Sequence, residues 1–328
     1  MKKIYVLATG GTIAGSAESD VATTGYQAGA IGIDSLLAAV PEIRKLAEVS
    51  GEQIAAIDSK DMTQEIQLKL ARRCNELLAF EGIDGVVITH GTDTMEETAY
   101  LLSLLTCTDK PIVLTGAMRP ATAISADGPL NLLDAVRVAV SPEARDRGVL
   151  VVTNNQIDGA HDVTKSHTTS VQTFQSPNGG SLGIVDDGVV KFTRRSEFTH
   201  LAGSLKLSET IQKLPDVRIL YGYAGDDGFL VEAAVKAGAR GIVYAGMGNG
   251  SLPAPVEEKL AQAVKDGVTV VRSTRGYAGQ VTYAEHSYEE AKILRSESLN
   301  PQKARILLQL ALQQKLKNDE IQDWFNRF

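Results

Sequence analysis

Two threonines stand where apolar runs stop. Residues 4–15 read Ile-Tyr-Val-Leu-Ala-Thr-Gly-Gly-Thr-Ile-Ala-Gly, a pattern expected of a buried parallel strand that ends on paired glycines and then Thr12. Ligands of open α/β sheets bind in loops at the carboxyl ends of strands, and Gly10 and Gly11 let the backbone approach closely there. A hydroxyl so placed can serve as a nucleophile, although a tight turn carrying Gly-Gly-Thr is an equally ordinary reading. The second run, Val86–Thr89, passes through His90 and Gly91 to Thr92 and Asp93, with Glu96 and Glu97 in the first turn of the helix that follows. Helix capping would account for Thr92 or Asp93 alone. It does not account for a second Gly-Thr strand end in the same chain. Reaction of a hydroxyl at a carbonyl needs the nucleophile itself, an acceptor for its proton and donors for the oxyanion. Thr12 fits the first role, and backbone amides near Gly11 and Thr92 fit the last.

Further segments join these two: Gly116-Ala117-Met118-Arg119-Pro120, Ser125-Ala126-Asp127-Gly128-Pro129, Asp162-Val163-Thr164-Lys165, Gly246-Met247-Gly248-Asn249-Gly250 and Leu299-Asn300-Pro301-Gln302-Lys303-Ala304-Arg305. Spread over nearly the whole chain, together they resemble the bacterial L-asparaginase and glutaminase-asparaginase family, specifically its type II branch. The resemblance implies hydrolysis of the side-chain amide of L-asparagine through an acyl-threonine on Thr12, with L-glutamine as a second candidate substrate. It places Tyr26 beside Thr12 and groups Thr92, Asp93 and Lys165, where a lysine either acts as a base or orients a carboxylate. Asp93 and Glu285 suit the substrate ammonium, Ser59 with nearby amides suits the α-carboxylate, and Gly11, Lys60, Thr92 and Asn249 complete the expected substrate-binding set. Glu285 and Asn249 are implied to reach the pocket of a neighbouring subunit, within a homotetramer built as a dimer of intimate dimers.

One residue departs from the pattern. Many type II enzymes have Gln or Glu after Ser59, and this chain has Lys60. A positive charge there repels an ammonium unless it points at the α-carboxylate or into solvent, so Lys60 bears on the choice between asparagine and glutamine. The smaller amide is expected to be favoured, although one methylene is typically worth only about 1–3 kcal/mol of discrimination.

The elements that must carry these residues alternate. Strands are expected at Gln53–Ile57, Val86–Thr89, Ile112–Thr115 and Val149–Thr153, and helices at Asp34–Val40, Thr63–Ala79, Met95–Leu105 and Leu130–Val140. This alternation implies an α/β protein with a mostly parallel sheet covered on both faces. Ser16–Gly32, rich in small residues, reads as a mobile loop and candidate lid. Between 158 and 197 the helical pattern lapses into short strands at Val171–Phe174, Leu182–Val185 and Val189–Phe192. Two α/β domains follow: a larger catalytic one over 1–193 and a smaller one over 214–328, joined by a linker at 194–213. In the second, strands are expected at Val217–Tyr221, Gly241–Ala245 and Val268–Arg272, with helices Leu230–Ala237, Pro253–Lys265 and Gln302–Gln314, and Glu285 in a loop over Ser273–Tyr288.

Composition narrows the partners. The 328 residues are 43% hydrophobic and 22% charged with a formal charge of −7, which suits a soluble globular protein and a small-molecule partner rather than nucleic acid or an anionic membrane. No apolar run approaches the roughly 18 residues that span a bilayer. The five apolar residues after Met-Lys-Lys are too short for a signal peptide, so the cytoplasm is expected, or export if the chain is a trimmed mature form. Cys74 shares a helical face with Ile66, Leu70 and Leu77 and reads as a small buried hydrophobe. Pairing with Cys107 stays open, since exported relatives often carry a disulfide nearby. The five histidines lack ligand spacing and Gly246–Gly250 lacks a dinucleotide fingerprint, so neither metal nor cofactor is expected. A non-catalytic amino-acid-binding protein is the rival reading from another class.

Overall fold

The first apolar run forms β1 (Lys2–Gly10) in a computed structural model that describes residues 1–15, 29–196, 198 and 211–328. Parallel to β1 on one side lies β2 (Ala47–Ile57) and on the other β3 (Gly85–Thr89). The parallel run continues through β4 (Ile112–Thr115) and β5 (Val149–Thr153), and β6 (Gln156–Gly159) pairs antiparallel to β5. A separate ribbon joins β7 (Thr164–Lys165) to β8 (Phe174–Gln175), and β9 (Gly183–Asp186) with β10 (Val189–Phe192) completes the large sheet. Its order is β10-β9-β6-β5-β4-β3-β1-β2. The chain therefore moves from β1 outward to β2, then returns to the other side of β1 for β3, β4 and β5. That reversal leaves a crevice at the carboxyl ends of β1 and β3, the usual ligand position in an open α/β sheet.

The pleat sends alternate side chains to opposite layers. Ile4, Val6 and Ala8 of β1 face a core shared with α1 (Ile33–Ala38), α2 (Ile43–Leu46) and, further along, α5 (Gly128–Val140). Leu7 faces the opposite core, filled by α3 (Gln64–Ala79) and α4 (Met95–Leu105). The side chain of Thr63 caps α3, its hydroxyl accepting the Ile66 amide at 3.3 Å. Cys74 packs with Leu70 and Leu77, where burial pushes its thiol up to about 12; it and the exposed Cys107 are both free.

Residues Met1–Gln212 form one compact unit and Lys213–Phe328 a second. The second carries β11 (Val217–Tyr221), α6 (Phe229–Lys236), β12 (Gly241–Gly246), α7 (Ala254–Lys265), β13 (Thr269–Thr274), α8 (His286–Glu290), β14 (Leu294–Arg295), α9 (Pro301–Gln313) and α10 (Asn318–Arg327). Its four strands are parallel and lie in sequence order. α6 and α7 share one core with the sheet, in which Ile242, Tyr244 and Val270 meet Val231, Val256 and Leu260. Among the described residues no helix is long and apolar enough to cross a membrane.

The expected architecture of a larger, mostly parallel α/β unit and a smaller one is found. Three local expectations need correction. β2 begins at Ala47 rather than Gln53, because as an edge strand it tolerates Glu48, Ser50 and Glu52 on partly solvated positions. The strand expected over Val171–Phe174 is only Phe174–Gln175, held by its two-residue pairing with Thr164–Lys165. The loop expected over Ser273–Tyr288 stops short of its expected end, because α8 begins at His286; Glu285 is the last loop residue, at the N-cap of that helix. The expected lid Ser16–Gly32 falls outside the described residues over 16–28, as does the linker 194–213 at 197 and 199–210.

Candidate active site

Three strand ends converge on the crevice. Gly11 has φ +78, and a Cβ there would lie 2.4 Å from the Gly91 Cα, so the loops after β1 and β3 touch backbone to backbone. A Cβ on Gly91 would in turn sit 2.5 Å from the Ser59 Oγ, which brings in the loop after β2. Only glycine allows this triple approach. Thr12 follows immediately as the first residue of a buried 3₁₀ turn, Thr12–Ala14. The Gly11 amide donates to the Ile57 carbonyl at 2.8 Å. It is spent within the chain, so an oxyanion donor near this strand end must come from a neighbour of Gly11.

Lys165 reaches the same place from a distant part of the sequence. Its Nζ donates to the Thr92 Oγ1 at 2.9 Å and meets the Asp93 Oδ1 at 2.5 Å. The backbone end of Lys165 is fixed as well, its amide donating to the Glu96 Oε2 at 2.7 Å. Glu96 is buried in the first turn of α4, where the helix dipole offsets the cost of a buried carboxylate. Thr92, Asp93 and Glu96, all from one strand-to-helix connection, thus grip one lysine at both ends. A hydroxyl in contact with a lysine that is itself held by a carboxylate can pass a proton.

His90 shapes the turn between them. It is fully buried, and its Nδ1 lies 2.7 Å from the Gly91 carbonyl. Burial lowers its pKa to about 4, with the Gly91 hydrogen bond opposing, so near neutral pH the ring is uncharged and Nδ1–H donates. Nothing in the sequence signals this role for His90. The place of Glu96 in the first turn of a helix explains its charge by itself, and its bond to Lys165 spans 69 positions.

Ser59 is buried and accepts the Asp93 amide on its Oγ at 3.1 Å, while its carbonyl accepts the Thr94 hydroxyl at 2.8 Å. An accepting hydroxyl keeps its own proton to donate, as a carboxylate ligand requires. Lys60, next to it, is exposed and paired with Asp58 at 2.5 Å and Asp61 at 3.7 Å. The hydrogen bond to Asp58 raises its pKa, and the ammonium is compensated by its own loop. Tyr26 lies outside the described residues.

Asn249 and Glu285 belong to the second unit. Asn249 accepts the Thr282 amide on Oδ1 at 2.9 Å and donates from Nδ2 to the Thr282 Oγ1 at 3.0 Å. Glu285 is exposed at the start of α8.

Comparison with known proteins gives the same outline. The family model described as "Asparaginase, N-terminal" matches residues 3–198, and that described as "Glutaminase/Asparaginase C-terminal domain" matches 216–325. The chain is 50% identical to L-asparaginase 2 of Bacillus subtilis, over 100% of this chain and 87% of that protein. It is 44% identical to the glutaminase-asparaginase of Pseudomonas fluorescens biotype A, over 99% of this chain and 90% of that protein. The crystal structure of a probable cytoplasmic L-asparaginase from Campylobacter jejuni superposes with a TM-score of 0.96 at 48% identity, covering 100% of both chains. With both domains matched in order and relatives of this identity along its full length, the chain belongs to the asparaginase family.

Proposed function

We propose that this protein is an L-asparagine amidohydrolase that releases L-aspartate and ammonia, with L-glutamine as a secondary substrate. The observation that carries the proposal is the grip of Thr92, Asp93 and Glu96 on Lys165 at a strand end whose Gly91 touches Gly11, one residue before Thr12. Relatives named L-asparaginase and glutaminase-asparaginase support the substrate pair.

In this reading the Thr12 hydroxyl attacks the side-chain amide carbon, the C–N bond breaks, and ammonia leaves with the proton lost by the hydroxyl. Water then attacks the acyl-threonine ester; aspartate departs and Thr12 regains its proton. Thr92 and Lys165 move protons, and Tyr26 is the proposed acceptor next to Thr12. Asp93 binds the α-ammonium and Ser59 the α-carboxylate. Lys60 is paired with Asp58 and Asp61, which supports accommodation of an ammonium near it.

We infer a homotetramer built as a dimer of intimate dimers, in which Asn249 and Glu285 serve a neighbouring pocket. Ammonia release from asparagine and glutamine by the purified protein and by its Thr12→Ala variant tests the chemistry. Undiminished release from Thr12→Ala rules out the threonine nucleophile, and no release from the parent protein rules out the activity. Mixing Thr12→Ala with Glu285→Ala subunits should restore part of the activity each has lost.

A further inference from the structure

Arg272, in β13, is fully buried, and among the described residues no carboxylate lies within ion-pair distance of it. A guanidinium in such a place is costly unless its donors are met by fixed acceptors. Two of its nitrogens meet main-chain carbonyls of two separate loops, Nη1 donating to the Asn249 carbonyl at 2.8 Å and Nη2 to the Thr282 carbonyl, while the buried Nε has no hydrogen-bond partner among the described residues. The guanidinium also lies over the Tyr288 ring, 5.0 Å from its centroid. The Asn249 side chain reinforces the link through its two hydrogen bonds to Thr282.

Thr282 and Tyr288 stand three residues before and three residues after Glu285. Tyr288 is itself anchored in the core of the second unit, where its hydroxyl accepts the Leu252 amide at 3.1 Å, and its amide donates to the Glu285 carbonyl at 3.2 Å. An exposed carboxylate at the start of a five-residue helix is thereby pinned on both flanks to one buried cation. We propose that Arg272 is a positioning residue for Glu285, buckling the 282–288 segment to the Asn249 turn so that the Glu285 carboxylate meets a substrate α-ammonium. This rests on the reading above in which Glu285 serves a neighbouring subunit's pocket.

L-Aspartate and succinate differ only by that ammonium, so their dissociation constants, measured by calorimetry on the intact assembled protein, isolate the effect. Glu285→Gln is expected to weaken aspartate at least 10-fold and to leave succinate within twofold. Arg272→Met should weaken aspartate severalfold while sparing succinate, Arg272→Lys should fall between Arg272→Met and the parent, and Arg272→Met/Glu285→Gln should be no worse than Glu285→Gln alone. An unchanged aspartate-to-succinate ratio in Arg272→Met, or in Arg272→Lys should Arg272→Met not fold, overturns the inference. Equal weakening of both ligands also overturns it, because a purely structural role acts on both. If Glu285→Gln itself leaves the ratio unchanged, the reading of Glu285 fails first and takes the inference with it.

Discussion

Gly11 and Gly91 are in main-chain contact: a methyl group on Gly11 would stand 2.4 Å from the Gly91 Cα, at a backbone φ of +78 that side chains rarely adopt. The substitution Gly11→Ala must push the loops after β1 and β3 apart. Since misplacement by about 1 Å can cost on the order of 100-fold in rate, kcat/KM for asparagine should fall by about that factor, and Tm should drop. Ammonia release and a thermal melt measure both. A variant indistinguishable from the parent in both would mean that the contact does not set the distance between Thr12 and Thr92.

The hydrogen bond from Lys165 to Thr92 is testable with near-isosteric changes. Thr92→Val keeps the shape and removes the acceptor; Lys165→Met keeps the stem and removes the charge. Each should lower kcat by roughly 100- to 10,000-fold, the range of a positioned proton-transfer group, with KM much less affected. Because the two act as one unit, Thr92→Val/Lys165→Met should be no worse than the more damaged single variant. Multiplicative losses in steady-state kinetics would show that they act separately.

Glu96 holds the main chain of Lys165, so its contribution should depend on an acceptor rather than on charge. Glu96→Gln retains an oxygen that can accept the Lys165 amide and should keep most of the activity. Glu96→Ala leaves that amide unmet, at a cost of about 1–3 kcal/mol in stability, and lets the lysine drift. A lower kcat in Glu96→Ala with near-parental kcat in Glu96→Gln is the expected pattern. Equal damage in both variants would point instead to the carboxylate charge.

His90 makes stability depend on pH in a defined direction. Its folded pKa, about 4, lies below the ordinary imidazole value of 6.5 because burial disfavours the charged ring. Between these values the unfolded chain binds a proton that the folded chain resists. The contribution is complete above pH 6.5 and is lost as pH falls towards 4, amounting to about 3 kcal/mol in all. Tm of His90→Gln should therefore fall less steeply than that of the parent between pH 7 and pH 4.5. Parallel curves would remove His90 from the acid sensitivity of the fold.

Legibility followed distance along the chain. Strands such as Ile112–Thr115 and Val149–Thr153 and the helix Met95–Leu105 lie where their apolar period placed them, because burial on both faces of a parallel sheet writes itself into consecutive residues. The amino-terminal part of β2 did not show itself. At the sheet edge, Glu48, Ser50 and Glu52 cost little, so the alternation there is weak.

For the site, the sequence by itself determined the two Gly-Thr strand ends, since each is a local signal: a run of apolar residues, a glycine, a hydroxyl. Lys165 entered through family resemblance, Glu96 only through its place in the first turn of a helix, and His90 carried no role there. Only the tertiary structure decided that Lys165 meets Thr92 across 73 positions, that Glu96 fixes its amide, that Lys60 turns to Asp58 and that Arg272 braces the flanks of Glu285. The physical reason is that hydrophobic period specifies which face of an element is buried. Which loops then touch is set by strand order and register, and these exist only once the sheet has assembled.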